Sequence, residues 1–156
     1  SGQSVVTYAV EPDGTTTFDY AGLRLAGGLS EDGSLFAATQ ISARLQGAAM
    51  CLRTSGDKMV GTVAGSYYGA WMSTQPVAGV TELQLDNRGN TVETVIRDSV
   101  GGRNYSLGSD FMLVKATGQL ETRESHGAVS ANGQVMFLIN TSPNKFPTLV
   151  VYVRKT

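Results

Sequence analysis

The sequence predicts an all-β protein, built either as an antiparallel β-barrel of calycin-like, internally duplicated plan or as a two-sheet β-sandwich. Three observations predict it. Charged residues make up only 16% of the 156-residue chain and glycines number 19, a balance that suits short strands joined by tight turns. Turn signals recur at short intervals from Glu11 to Gly133, and no convincing helical period runs between them. Finally, the stretch Gly27–Arg53 recurs as Gly127–Arg154: Gly27, Ser30, Gly33 and Ser42 match Gly127, Ser130, Gly133 and Ser142 at constant spacing. Leu29 answers Val129, Asp32 answers Asn132 and Leu35 answers Val135, while Tyr8–Val10 with Asp13 parallels Tyr105–Leu107 with Asp110. These matches predict an internal duplication within one all-β domain, with 1–56 a partial repeat and 57–156 a full one.

Taken in order, Ser4–Val10 is rich in Val, Thr and Tyr and reads as a strand. Glu11-Pro12-Asp13-Gly14 is a turn in which Pro presets φ and Gly takes a positive φ. Thr15–Tyr20 returns. Leu23 and Leu25 flank polar Arg24, the alternation of a short half-buried strand. Glu31-Asp32-Gly33 turns the chain into Leu35–Ile41. Ala43–Arg53 is ambiguous, because Ala and Leu favour helix and Ser42 could cap one. Its counterpart Thr148–Val153 is dense in β-branched residues, so Ala48–Arg53 is assigned a strand. Met59–Met72 carries three glycines among Val60, Val63, Tyr67, Tyr68 and Trp71 and reads as one long or kinked strand. Val80–Asp86 alternates, with Val80, Leu83 and Leu85 its apolar positions. A loop at Asp86–Asn90 leads to Val92–Ile96, followed by short strands at Tyr105–Leu107, Phe111–Lys115 and Gln119–Arg123. Gly127 begins a turn before the closing pair of strands. About a dozen strands result, and barrel closure is favoured because so long a meander must manage its edges.

Several functions are disfavoured by composition. The net charge is −1 and no basic run exceeds two residues, against nucleic acid or an anionic membrane surface as partner. No apolar run approaches the roughly 18 residues of a membrane helix. No signal peptide is in view at Ser1, as expected equally of a mature secreted chain and a cytosolic one. The single cysteine, Cys51, allows no intrachain disulfide and is expected to be a small buried core residue. With one histidine, His126, a multi-His metal centre cannot form. Asp13, Asp32, Asp86, Asn87 and Asn90 sit in turns without the spacing of a calcium loop. No metal and no cofactor are expected.

Tyr67-Tyr68-Gly69-Ala70-Trp71 is the leading binding candidate, since Tyr and Trp give rigid contact area with a polar handle. On a strand Tyr67 and Trp71 share a face and Tyr68 takes the other. The simpler reading is that they are ordinary core aromatics of a Gly-rich strand. Arg123-Glu124-Ser125-His126 holds the only general acid/base potential, His126 acting with Glu124 or Glu121. No G-x-S-x-G elbow is present, so no triad is assigned.

Tyr67-Tyr68, Leu83–Asn90, Tyr105–Asp110, Gly127–Gly133 and Leu149–Lys155 together form a pattern that resembles the duplicated all-β repeat modules of bacterial secreted or surface lipoprotein-type proteins. The resemblance covers 57–156. It implies an extracytoplasmic module and brings no catalytic residues. Three readings follow. The first is a non-enzymatic secreted or cell-surface module acting by protein binding or self-assembly, residues 1–56 lacking the first part of a unit that a longer chain or another subunit would supply. The second is a calycin-like barrel holding a small apolar ligand, with Tyr67 and Trp71 in its cavity. The third is a small barrel enzyme using His126.

Overall fold

A computed structural model of the chain describes all residues except 1–6, 21–22, 41–47, 55, 76, 102–104, 141 and 144–145. The start of the expected first strand, Ser42 of the repeat and Pro76 therefore lie outside the described residues. The chain forms two compact units, Ser1–Arg53 and Thr54–Thr156. Nearly every described element is a strand, as the composition predicts.

Unit 1 is a five-stranded antiparallel meander: β1 (Thr7–Val10), β2 (Thr15–Tyr20), β3 (Leu23–Leu29), β4 (Leu35–Gln40) and β5 (Ala48–Leu52), hydrogen-bonded in that order. Gly14, at φ 82°, closes the first hairpin, and the Asp13 carboxylate accepts the Thr15 N–H at 2.8 Å. Among the described residues, β1 and β5 each have a strand partner on one side only.

Unit 2 begins with one helical turn, α1 (Val60–Val63), and continues through β6 (Gly65–Ser73), β7 (Ala78–Leu85), β8 (Asn90–Asp98), β9 (Tyr105–Phe111), β10 (Leu113–Val114), β11 (Gln119–Glu121), β12 (Ser125–Val129), β13 (Val135–Asn140) and β14 (Thr148–Arg154). The sheet order is β10-β11-β12-β13-β14-β6-β7-β8-β9. Its two ends, β9 and β10, are separated by Met112 alone and are one strand in two pieces. Its upper piece pairs with β8, its lower piece with β11. The sheet thus returns on itself as a nearly closed barrel, with the first and last strands, β6 and β14, paired from Tyr67↔Arg154 to Ser73↔Thr148.

Alternation places Tyr67, Leu83, Leu85, Leu120, Val129, Met136, Leu138 and Tyr152 inside, all buried. Val63 of α1 is fully buried among them and plugs one end. Gly69 faces inward opposite Tyr152, where an added Cβ would lie 2.7 Å from both the Tyr152 ring and the Thr81 methyl. Only glycine lets that ring lie across the strand.

The matched segments of the two units make matching hydrogen bonds. Ser30 Oγ donates to Asp32 Oδ1 at 2.7 Å and accepts the Leu35 N–H at 2.9 Å; Ser130 Oγ donates to Asn132 Oδ1 at 2.7 Å and accepts the Val135 N–H at 3.0 Å. Leu29 N–H bonds to the Gly14 carbonyl, and Val129 N–H to that of Gly118. Arg53 N–H bonds to Ser34, and Arg154 N–H to Gln134. At both Gly27 and Gly127 a Cβ would overlap the carbonyl of the facing strand, Ala37 or Phe137.

Four expectations are corrected. Met59–Val63 is not strand: Thr62 Oγ1 donates to the Met59 carbonyl at 2.8 Å, and Val60 and Val63, three apart, turn one apolar face inward, so a helical turn buries what an extended segment would expose. Gly127 does not begin a turn; β12 runs on to Val129, and Ser130–Gly133 turns instead. In β7 plain alternation puts Thr81 inside with Leu83 and Leu85 and leaves Val80, an odd number of residues from each, exposed. Cys51, on the edge strand β5, is exposed rather than core.

Candidate functional site

The barrel interior of unit 2 changes character along its axis. At the α1 end it is apolar and filled. Tyr67 closes it, its hydroxyl donating to the Val63 carbonyl at 2.6 Å and lying 3.3 Å from that of Gly133. Burial raises the Tyr67 pKa, partly offset by the Arg154 charge, so the phenol remains a donor. Arg154 in turn donates to the Ala64 carbonyl at 2.6 Å, and Lys58 to that of Ala131, fastening the plug to the barrel.

Towards the other end lies a cavity of about 580 Å³. Trp71, Leu83, Met112, Leu138, Val150 and Tyr152 give it apolar and aromatic walls. Thr91, Glu93, Asn140 and Thr148 add polar groups, and Ser109-Asp110 on β9 faces the Thr122–Ser125 turn of β11–β12. No ladder joins β9 to β11 or β12 among the described residues, so these two segments flank an opening in the wall.

Glu93 is the chemically unusual member. In β8 it shares the inward face with Thr91 and Val95, next to a register shift at Glu93/Thr94. Its Oε1 accepts the Tyr152 hydroxyl at 2.7 Å and the Thr81 hydroxyl at 3.0 Å, the latter also 2.8 Å from the Thr94 carbonyl. Burial pushes the Glu93 pKa up and the two hydroxyls oppose the rise. Burial and the neighbouring carboxylate together push Tyr152 far up, so its proton stays in place.

Trp71 lies across the inner face of Gly79, where an added Cβ would sit 2.7 Å from the indole Nε1 and Cε2. Its N–H is buried without an acceptor among the described residues. Tyr68, on the opposite face of β6, is 55% exposed and carries Lys155 4.0 Å above its ring, the ammonium also pairing with Glu82 at 2.8 Å. Of the aromatic trio, then, Tyr67 seals the closed end, Trp71 lines the cavity and Tyr68 is outside. Glu124 lines the cavity. His126 points outward, exposed, across the ladder from Glu121, whose carboxylate bonds to Lys115. The acid/base pairing of His126 with Glu124 therefore has no common face. Among the described residues no cluster of His, Cys, Asp or Glu could hold a metal ion.

Glu93 and Tyr152 escape a sequence reading. In Thr91-Val92-Glu93-Thr94-Val95-Ile96 the apolar alternation favours Val92 and Ile96 as the inward set, yet Val92 is exposed. A weak signal was present, since Tyr152 faces Gly69 across the ladder and a glycine in a strand marks a close approach.

Comparison with protein-family models and with curated proteins finds no match to this chain.

Proposed function

We propose that this chain is a non-enzymatic module that acts by binding protein, and that the pairing surface is the open sheet of unit 1, taken up by a second copy of the chain. One observation carries the reading. The Arg53 N–H points to β4, as does that of Arg154 to β13; alternation then turns the backbone groups of Met50 and Leu52 outward, just as it turns those of Val151 and Val153. In unit 2 that edge is occupied by β6, with Val151 opposite Ala70 and Val153 opposite Tyr68. In unit 1 the same edge has no strand partner among the described residues.

The matching hydrogen bonds, with Gly14 answering Gly118, support a duplication in which unit 1 corresponds to β10–β14 without its complement, so that β1 answers β10 rather than the expected Tyr105–Leu107. Its edges are also undefended: Thr7–Val10 and Ala48–Leu52 contain no charge and no proline, the usual devices against edge pairing. Strand parity favours a second copy turned by a two-fold axis. With five antiparallel strands, β1 and β5 run in the same direction, so a copy in the same orientation would offer only parallel pairing. A copy turned by a two-fold axis brings β5 to β5 and β1 to β1, both antiparallel, and closes the sheet. The resemblance to surface modules supports an extracytoplasmic setting. Protease treatment of intact source cells should release the module, and its survival inside them would contradict that setting.

Native mass spectrometry of the full chain over a concentration series tests the pairing. A dimer growing with concentration, and lost in Val10→Lys/Met50→Lys, is expected. A monomer throughout would overturn the reading, as would a dimer indifferent to both substitutions.

A further inference from the structure

We propose that the barrel cavity of unit 2 binds a small organic cation with an apolar body, an alkyl- or arylammonium, which enters between β9 and the β11–β12 turn and sets its charge against Glu93. The cavity, at about 580 Å³, lies within the range of small-molecule sites. Its walls answer the two ends of such a ligand separately. Leu83, Leu138 and Val150 offer apolar surface, and the Trp71 and Tyr152 rings offer faces suited to a cation as well as to hydrocarbon. The charged groups lining it are the carboxylates Glu93, Asp110 and Glu124 against the single guanidinium of Arg123, an excess of negative charge among the described residues.

Glu93 is the decisive group. Burial opposes the ionisation of this inward carboxylate. Tyr152 and Thr81 fix its orientation through Oε1. An ammonium arriving in the cavity would stabilise the ionised form, so the feature that weakens the empty barrel would strengthen the filled one. The polar lining likewise disfavours the purely apolar ligand expected from the aromatic run alone. Tyr67 takes no part, since it is sealed behind the plug.

Trp71 is the only tryptophan of the chain, so its fluorescence reports on the cavity directly. Titration of the full chain with n-hexylammonium and benzyltrimethylammonium should give saturable changes, with n-hexanol and hexanoate binding at least about tenfold more weakly. Glu93→Gln should weaken the cations by about tenfold or more and leave hexanol unchanged. Ser109→Arg, an exposed substitution at the opening, should weaken the cations without disturbing the fold, keeping the test valid should Glu93→Gln misfold. Equal affinity for hexanol and hexylammonium would overturn the proposal. So would the absence of saturable cation binding, or cation affinity unchanged in both variants.

Discussion

At the scale of single residues, the two serine turns provide an internal control. Asp32 and Asn132 occupy matching positions and accept matching bonds, but only Asp32 titrates. The Ser30 hydroxyl first, and then the Ser34 side chain and N–H, hold its pKa down at about 2, from the usual 3.8. A folded-state pKa below the unfolded one means that the stabilisation is present above the unfolded value and lost as pH falls through about 2. Acid titration followed by NMR should therefore perturb the Ser34 and Leu35 amides and leave those of Gln134 and Val135 in place. Asp32→Asn should remove the difference, and equal perturbation of both turns would contradict the assignment. Glu93 has the opposite sign. Its pKa is raised by burial, so the folded state holds the proton longer than the unfolded one and stability falls as pH rises from the ordinary carboxylate value to the raised one. Glu93→Gln should flatten that decline in urea denaturation at a series of pH values; an unchanged slope would show that Glu93 is not its source.

At the scale of elements, the plug is the testable joint. Tyr67→Phe leaves the Val63 carbonyl without its 2.6 Å donor in a buried site and should cost about 1–3 kcal/mol. Val63→Ala, at the fully buried residue of the turn, should cost about 2 kcal/mol or more through the void it leaves. Gly69→Ala forces a methyl against the Tyr152 ring and should cost about 1–3 kcal/mol. Chemical denaturation checks all three, and a neutral Gly69→Ala would mean that the ring moves aside freely. The plug is also where sequence reasoning failed. A four-residue helix gives too short a period to register, and Val60 and Val63 fit a strand rich in Val and Tyr equally well. The strand β5 shows the reverse. Ala48–Leu52 has helical propensity, and only its match to the β-branched Thr148–Val153 identified it as strand. The all-β class, the hairpin turns at Glu11–Gly14 and Ser30–Gly33, and the facing of Tyr67, Tyr68 and Trp71 were legible for local reasons of turn chemistry and alternation. The inward placement of Thr81 and Glu93 was not, because strict alternation puts them in phase with Leu83, Leu85 and Val95 while apolar Val80, Val92 and Ile96 favour the opposite phase.

At the scale of the molecule, two similar segments differ in how they are completed. In one, β10–β14 is completed by strands of the same chain into a nearly closed barrel. In the other, β1–β5 carries the same turn bonds and ends in two uncharged edges. The cavity proposal and the edge proposal stand apart, since the first concerns side chains inside unit 2 and the second concerns backbone groups of unit 1. The most direct test of the edge is amide hydrogen exchange at Met50 and Leu52 over a range of protein concentrations, with Val151 and Val153 as references in the same sample. The two references, paired with β6, should be protected at every concentration. Protection at Met50 and Leu52 should appear only as concentration rises, in step with dimer formation. Free exchange at Met50 and Leu52 at every concentration, while dimers form, would contradict it, as would full protection in the dilute monomer.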